Sequence, residues 1–568
     1  MTMKQALYCV ALLPFISLHA DAQKYSLTWG DESNMKKSTV DMKLVNADES
    51  GTYFLEGDLQ VKLFVAMATN YKLKKFDANF KQVFEKEYSR QLKGLTLSSV
   101  KPLKNKLYLF ANDYDKKENI YTMYAAEINR NTGDLLTDPK EIGNYTLSSD
   151  RDIVRYVLKP SQDSTAWSLI TNIIPDDGSG GSVYITILDE KLDKKQNAVI
   201  HLKQDPDVFS FEDMAFTNDG KFLVLGKEFE YLNGSTKKKD KVFKDFTLTR
   251  YGSKGNQEAV YKLYESNNKY SIAGKLITLP RGEVVFAGFY SNAPRGKAQA
   301  LNGIYTARID LNGNTLTQSS AIEVNQAQLT DLGDSTGQAN EPEHNKSKKG
   351  DEKEEQGFSN SFLIRNVVVN PVDNSLVIIA ETFSFSYHTY YMPATSTSSA
   401  SHSVAYDFQN RELLLVDISP DGKLNKISMI PKKQRETFSE SHTSSIYSTY
   451  GGYFTQGGSY PYYSSISSSV YNNNLFIFFN DNNKNEKVTT GSDVKAVKWT
   501  DDFQNSSLCA FSINLRDFTV KKESIFHNTD IVAMPRFGFV AGNTVYLPAS
   551  RQRLLGKTEL KLGKIVIQ

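Results

Sequence analysis

KNKLYLFANDYDKKENIYTMYAAEINRNTG, Lys104 to Gly133, holds the fold in one view. The turn Lys104-Asn105-Lys106 opens directly into the apolar strand KLYLFAND, and the turn Asn131-Thr132-Gly133 closes the strand that follows. Alternating runs rich in Val, Ile, Leu, Tyr and Phe, bounded by Asn, Asp, Gly and Lys, are the mark of hairpins. Working outward, the same pair of turns recurs along the chain. The first kind returns at Asp48-Glu49-Ser50-Gly51, Ser161-Gln162-Asp163, Asn218-Asp219-Gly220, Pro280-Arg281-Gly282, Val372-Asp373-Asn374, Asn472-Asn473-Asn474 and Gly542-Asn543. The second returns at Asp77-Ala78-Asn79, Asp189-Glu190-Lys191, Ser253-Lys254-Gly255, Asn312-Gly313, Pro420-Asp421-Gly422 and Arg516-Asp517. Early units repeat at roughly 55 to 65 residues, and later ones are stretched by insertions.

Each unit supplies four strands, a to d, with tight turns joining a to b and c to d. Four-stranded antiparallel units repeated radially make a β-propeller. Seven units are complete. The eighth, from Ile531, offers three strands, and the missing outer strand is expected to be KYSLTW, Lys24 to Trp29. Such closure satisfies two sheet edges at once. The expectation is an all-β fold, a single propeller of eight four-stranded blades closed by the mature N-terminal strand; seven blades, or two stacked β domains, are the alternatives.

Composition agrees. Of 568 residues 40% are hydrophobic and 23% charged, and the aromatics are 31 Tyr and 32 Phe against 3 Trp, a mixture suited to half-buried strands. Lys+Arg 67 against Asp+Glu 65 is too balanced for a nucleic-acid binder.

Residues 1–22 have the form of a signal peptide: Lys4, an apolar run from Ala6 to Leu18, then Ala20-Asp21-Ala22. Cleavage would leave residues 23–568 as the propeller domain and remove Cys9, leaving Cys509 without an internal partner. An exported chain of this kind must be held by core burial alone. No later stretch is apolar enough for a transmembrane helix, so the expected location is periplasmic or extracellular, with peripheral membrane association compatible.

NDGK at Asn218 and SPDGK at Ser419 resemble turns of TolB-like and other secreted bacterial propeller repeats. The resemblance implies the superfamily and no particular ligand. It covers only these motifs and the strand pattern, and SPDGK falls between strands c and d, where those families place the turn between a and b.

In a four-stranded meander the a–b and c–d turns leave one face of the ring, and the b–c and d–a connections leave the other. The first set is short throughout; the second holds nearly every insertion. Asp58 to Asn70, Glu230 to Phe243 and Ser291 to Asn302 are modest. Residues 326–360 are strongly polar and are expected to be a disordered tether. Ser386 to Gln409 (386–409, between strands b and c of blade six) and Thr437 to Ile466 (437–466, leading into blade seven) combine Tyr with Ser, Thr, Gly and Ala, as binding loops do. Asn480 to Ser506 is their neighbour. The candidate partner-binding residues are Tyr390, Tyr391, Tyr450, Tyr453, Tyr460, Tyr462, Tyr463 and Trp499. The competing reading is that these tyrosines pack the loops onto the ring as a small satellite core.

Chemical motifs are sparse. His388, His402 and His442 fall in neighbouring insertions without the spacing of a metal site. Asp481, Asn483 and Asn485 alternate like a calcium loop, but Glu486 stands where Gly is needed. Gly178-Ser179-Gly180-Gly181 lacks the Lys of a phosphate loop, and Cys509 sits in an apolar run. No metal and no cofactor are expected. The leading expectation is a non-catalytic exported binding or scaffold protein of the cell envelope, engaging a protein or polysaccharide through the long-loop face. The alternative is a carbohydrate-active enzyme, glycosidase or lyase, at the central funnel, with Asp152, Glu212 and Asp213 as candidate carboxylates.

Overall fold

The computed structural model describes residues 24–35, 39–62, 66–161, 165–176, 181–202, 208–216, 220–231, 241–262, 270–279, 283–292, 302–310, 315–324, 362–392, 401–440, 461–489, 494–551 and 558–568. Their strands form eight antiparallel sheets arranged in a ring, an eight-bladed propeller. Blades one to seven span 39–87, 96–146, 153–201, 209–262, 270–323, 362–430 and 467–527, each a meander in chain order. Blade eight takes strands a to c from 532–567, and its outer strand is Tyr25–Trp29, with Tyr25 opposite Ile567 and Trp29 opposite Gly563. The ring therefore closes with the N-terminal strand, as the sequence predicts. A Cβ at Gly563 would lie 2.3 Å from the Trp29 ring, so only glycine lets that indole lie across the strand. Trp29 in turn meets Phe526 of blade seven edge-on at 5.2 Å.

Strands b and c are nearly continuous apolar runs because both of their faces are covered. Leu475 to Phe479 of blade seven are all buried. Such two-sided burial removes the polar alternation of an exposed sheet. The core is not inside any blade but between blades, in eight clusters each built around two successive ones; the cluster of blades eight and one also takes in Tyr462, Tyr463, Val497 and Phe503. Phe246 of blade four meets Phe286 of blade five at 5.2 Å, and Leu44 and Phe54 of blade one pack with Met534 and Leu560 of blade eight. No blade can bury its apolar surface alone.

Side chains also reach from one blade to the c–d turn of the next. Tyr53 Oη donates to the Arg130 carbonyl (2.9 Å), Tyr108 Oη to Glu190 (2.5 Å), Gln196 Nε2 to Ser253 (2.7 Å), and Asn370 Nδ2 to Leu515 (2.9 Å). Lys564 Nζ closes the circle onto the Ala78 carbonyl at 3.2 Å. The turns are built for this. Asp77, Asn129, Asp189 and Asn514 each accept backbone N–H bonds two residues on, and Phe80, Leu192 and Phe518 adopt φ of 62, 63 and 59°. An apolar residue in that region costs about 1–2 kcal/mol. Burial of each of the three in an inter-blade cluster offsets it.

Two expectations are corrected. The c–d connection of blade two, 129–139, is longer than the tight turn read from the sequence. The described parts of two b–c insertions are strand rather than loop: Gly51–Lys62 pairs with Ala66–Phe76, which takes in most of Asp58 to Asn70, and Phe222–Tyr231 pairs with Lys241–Tyr251, which takes in both ends of Glu230 to Phe243. The polar segment 326–360, the leader and the Gly178 tip lie outside the described residues.

Candidate functional site: a strand arm and the charges beneath it

Blade six departs most from its neighbours. Its strand b, Leu376–Met392, and strand c, Ser401–Ile418, first pair 376–381 against 418–413, as in any blade. After a bulge at Glu381/Phe383 they continue, 383–392 against 410–401. The outer strand does the same: Leu424–Ile430 pairs with 418–413, breaks at 431–433, and resumes as Gln434–Glu440 along 410–404. Residues 386–392 and 401–409 of the insertion read as a loop from Ser386 to Gln409 are thus the outer part of a three-stranded arm; 393–400 lie outside the described residues. Ten strand positions at 3.3 Å carry it about 30 Å beyond the bulge. Phe385 stacks on Tyr406 at 6.2 Å and packs on Phe408 at 5.0 Å, giving the arm a small core of its own.

Beneath the arm lies a buried polar network. Glu381 and Lys432 are fully buried and pair at 2.7 Å. Arg365, at a bulge in strand a, donates through Nε to Glu381 at 2.6 Å and through Nη2 to Asn410 at 3.0 Å. Lys432 also donates to the Asn410 carbonyl (3.1 Å) and to Gln434 Oε1 (2.9 Å). Gln434 bonds the Asn480 carbonyl of blade seven, and Asn480 Nδ2 reaches Ala533 O of blade eight at 2.7 Å. Glu436 accepts the backbone N–H groups of Tyr462, Tyr463 and Ser464 at 2.7, 2.9 and 2.8 Å. Burial pushes the Glu381 carboxyl up, but the charges of Arg365 and Lys432 outweigh it and hold the group below its ordinary value. Glu436 has backbone donors rather than a cation, and burial pushes it up to about 7.

On the flank of the arm, Arg435 forms a two-pronged pair with Asp407 (Nε–Oδ1 3.0 Å, Nη2–Oδ2 2.8 Å). Its guanidinium lies 4.7 Å from the ring centroid of Trp499, which is 51% exposed. Residues 494–505 are stitched to the arm by Arg435 N to Val497 O (2.8 Å) and Thr500 Oγ1 to Thr437 O (2.7 Å). Trp499 is therefore an exposed aromatic on a fixed cationic support.

The other candidates divide. Tyr390 and Tyr391 lie in the outer arm, in register with Ser403 and His402. Tyr450, Tyr453 and Tyr460 lie outside the described residues, as does His442. Tyr462 and Tyr463 are 6% and 2% exposed, packed with Val497, Phe503 and Leu560. These two are core, not contact surface, because Glu436 draws their backbone inward. The competing satellite-core reading holds for this pair.

Asp152 caps its own turn, accepting from Ser148 and Ser149, and those bonds outweigh partial burial to lower its pKa. Asp213 accepts the N–H groups of Met214 and Leu276. Glu212 is half-buried at the bulge of its strand. Asp481 pairs with Lys522 at 2.6 Å. Among the described residues no His, Cys, Asp and Glu group is arranged to hold a metal. The sequence reading missed Arg365, Glu381, Lys432 and Glu436. One signal was visible: Glu381 interrupts the apolar run LVIIAETF.

No protein-family model and no curated protein matches this chain. Among solved structures it is similar to a protein of unknown function from Dyadobacter fermentans, at 9% identity over 74% of this chain and 97% of that one, TM-score 0.30. It is also similar to an α-L-arabinanase from Penicillium chrysogenum complexed with arabinobiose, at 9% over 67% and 97%, TM-score 0.30. An ACO/RPE65 chimera gives 9% over 89% and 94%, TM-score 0.35. Likeness this distant identifies no activity for the chain.

Proposed function

We propose that this chain is a non-catalytic exported binding or scaffold protein of the cell envelope, and that it engages a protein or polysaccharide through the blade-six arm and Trp499. The observation that carries the reading is an exposed indole fixed on Arg435 at the flank of an arm anchored by buried charges. Closing a propeller requires none of this. Buried ion pairs are a poor source of net stability, so positional specificity is the remaining physical reason to keep one here. An exposed indole on a rigid support can stack on a sugar ring or fill a protein pocket.

Capture from envelope extracts, together with a polysaccharide-binding panel, tests the proposal. Trp499→Ala should weaken binding about tenfold or more while leaving the melting temperature within a degree or two. Replacing 385–408 by an Asn-Gly turn joins Ser384 to its opposite number Gln409 in register and should abolish binding. Unchanged capture by both variants would exclude the arm as the contact. Export predicts a mature N-terminus at Gln23, read directly by N-terminal sequencing.

A carbohydrate-active enzyme is the second reading, favoured by Glu212 and Asp213 on an innermost strand. Turnover of any polysaccharide by the purified chain, lost on Glu212→Gln, would establish it in place of the first.

A further inference from the structure

The innermost strands of blades one, two, three and five carry Lys43, Lys101, Lys159 and Lys275. Strand a has one edge with no partner in its own sheet, and the inner strands of several successive blades touch, so these edges line the central channel. The lysines form one electrostatic cluster. Lys101 feels the charges of Lys43 on one side and Lys159 on the other, and Lys159 feels Lys275. Lys101 Nζ donates to the Leu158 carbonyl at 2.9 Å, and Lys159 Nζ lies 3.6 Å from Asp213. Burial, then Lys43 and Lys159, push the Lys101 ammonium down to about 8.

We propose that the central channel binds a phosphate-class oxyanion between Lys43, Lys101 and Lys159. A link between neighbouring inner strands would account for one bond from Lys101 to a carbonyl. It does not account for like charges gathered on four inner strands of a chain whose total is 67 cations against 65 anions. Asp213 answers one of these charges. Ammonium groups are compact, with three donors each, and several spaced around one channel match a multivalent tetrahedral oxyanion. Backbone N–H groups at the free edges add donors of the kind that line anion sites. A bound anion offsets the repulsion among these lysines.

Thermal unfolding and calorimetry of the purified chain test this, with orthophosphate and polyphosphate each compared with chloride at matched ionic strength. Saturable stabilisation is expected, since a ligand of the folded state raises its melting temperature. Lys101→Gln and Lys43→Gln should each weaken the phosphate effect about tenfold or more. In chloride both variants should melt no lower than the parent, because each removes like-charge repulsion. At pH 8 binding to the parent should take up protons, and this uptake should vanish in Lys101→Gln. Stabilisation by orthophosphate assigns a free anion, and stabilisation by polyphosphate alone assigns a chain-borne group. No saturable effect from either, or an equal effect in parent and both variants, overturns the proposal. Partner capture by the arm is a separate measurement, and its loss or retention leaves this result unaffected.

Discussion

At the scale of single residues, two buried glutamates titrate in opposite senses. Glu381 is held below its ordinary value of 4.5, so the unfolded chain takes up that proton first. Its contribution to stability is full above about 4.5 and is lost as pH falls through the folded value. Glu436 lies above 4.5, at about 7, so here the folded chain takes up the proton first. That contribution grows as pH falls from about 7 to 4.5 and is smallest above 7. Glu436→Gln should therefore remove part of the rise in melting temperature across that window, and an unchanged profile would contradict the assignment. Lys432→Met leaves the buried Glu381 carboxylate to Arg365 and the Ser465 hydroxyl and should destabilise by about 3 kcal/mol or more in urea unfolding. Cys509 is 2% exposed, and burial pushes its thiol up to about 12. It should resist disulfide reagents until the chain unfolds.

At the scale of elements, the closing strand is the sharpest test. Tyr25 meets Phe476 and Phe478 of blade seven edge-on at 6.1 and 6.3 Å, while Trp29 lies over Gly563. Gly563→Val must displace that indole, and a loss of about 1–3 kcal/mol is expected. Deleting 24–29 does more, since it bares the edge of strand Thr558–Ile567 over residues 563–567. A free edge of that kind promotes association between chains. Light scattering on warming should show earlier aggregation, and an equally soluble, equally stable truncation would mean that the strand does not close the ring.

For the whole molecule, the decisive feature is that every core cluster of the ring is shared by at least two blades and the circle has no open end. Loss of one blade exposes half of two cores. Unfolding is thus expected as one cooperative transition by calorimetry, unlike an open repeat array that frays from its ends. The arm of blade six stands outside this ring and holds its own cluster of Phe383, Tyr406 and Phe408. Its removal should leave the main transition in place.

From the sequence came the propeller class and the four-strand unit, because hairpin turns and two-sided apolar burial are local properties written within a dozen residues; eight blades closed by the N-terminal strand was its leading expectation, with seven blades left open, and the tertiary structure settles it. The tertiary structure was needed to show that residues 386–392 and 401–409 continue as paired strand and that Tyr462 and Tyr463 turn inward while Trp499 remains exposed. It alone brought Arg365, Glu381 and Lys432 together, and set Lys43, Lys101 and Lys159 on the inner strands of successive blades. The physical reason is distance along the chain. Arg365, Glu381 and Lys432 come from separate segments of blade six, and Lys43, Lys101 and Lys159 from three successive blades, on strands whose own periodicity is the same whichever neighbour they meet. Ring closure chooses the neighbour, and with it which buried charges are answered and which surface is left for a partner.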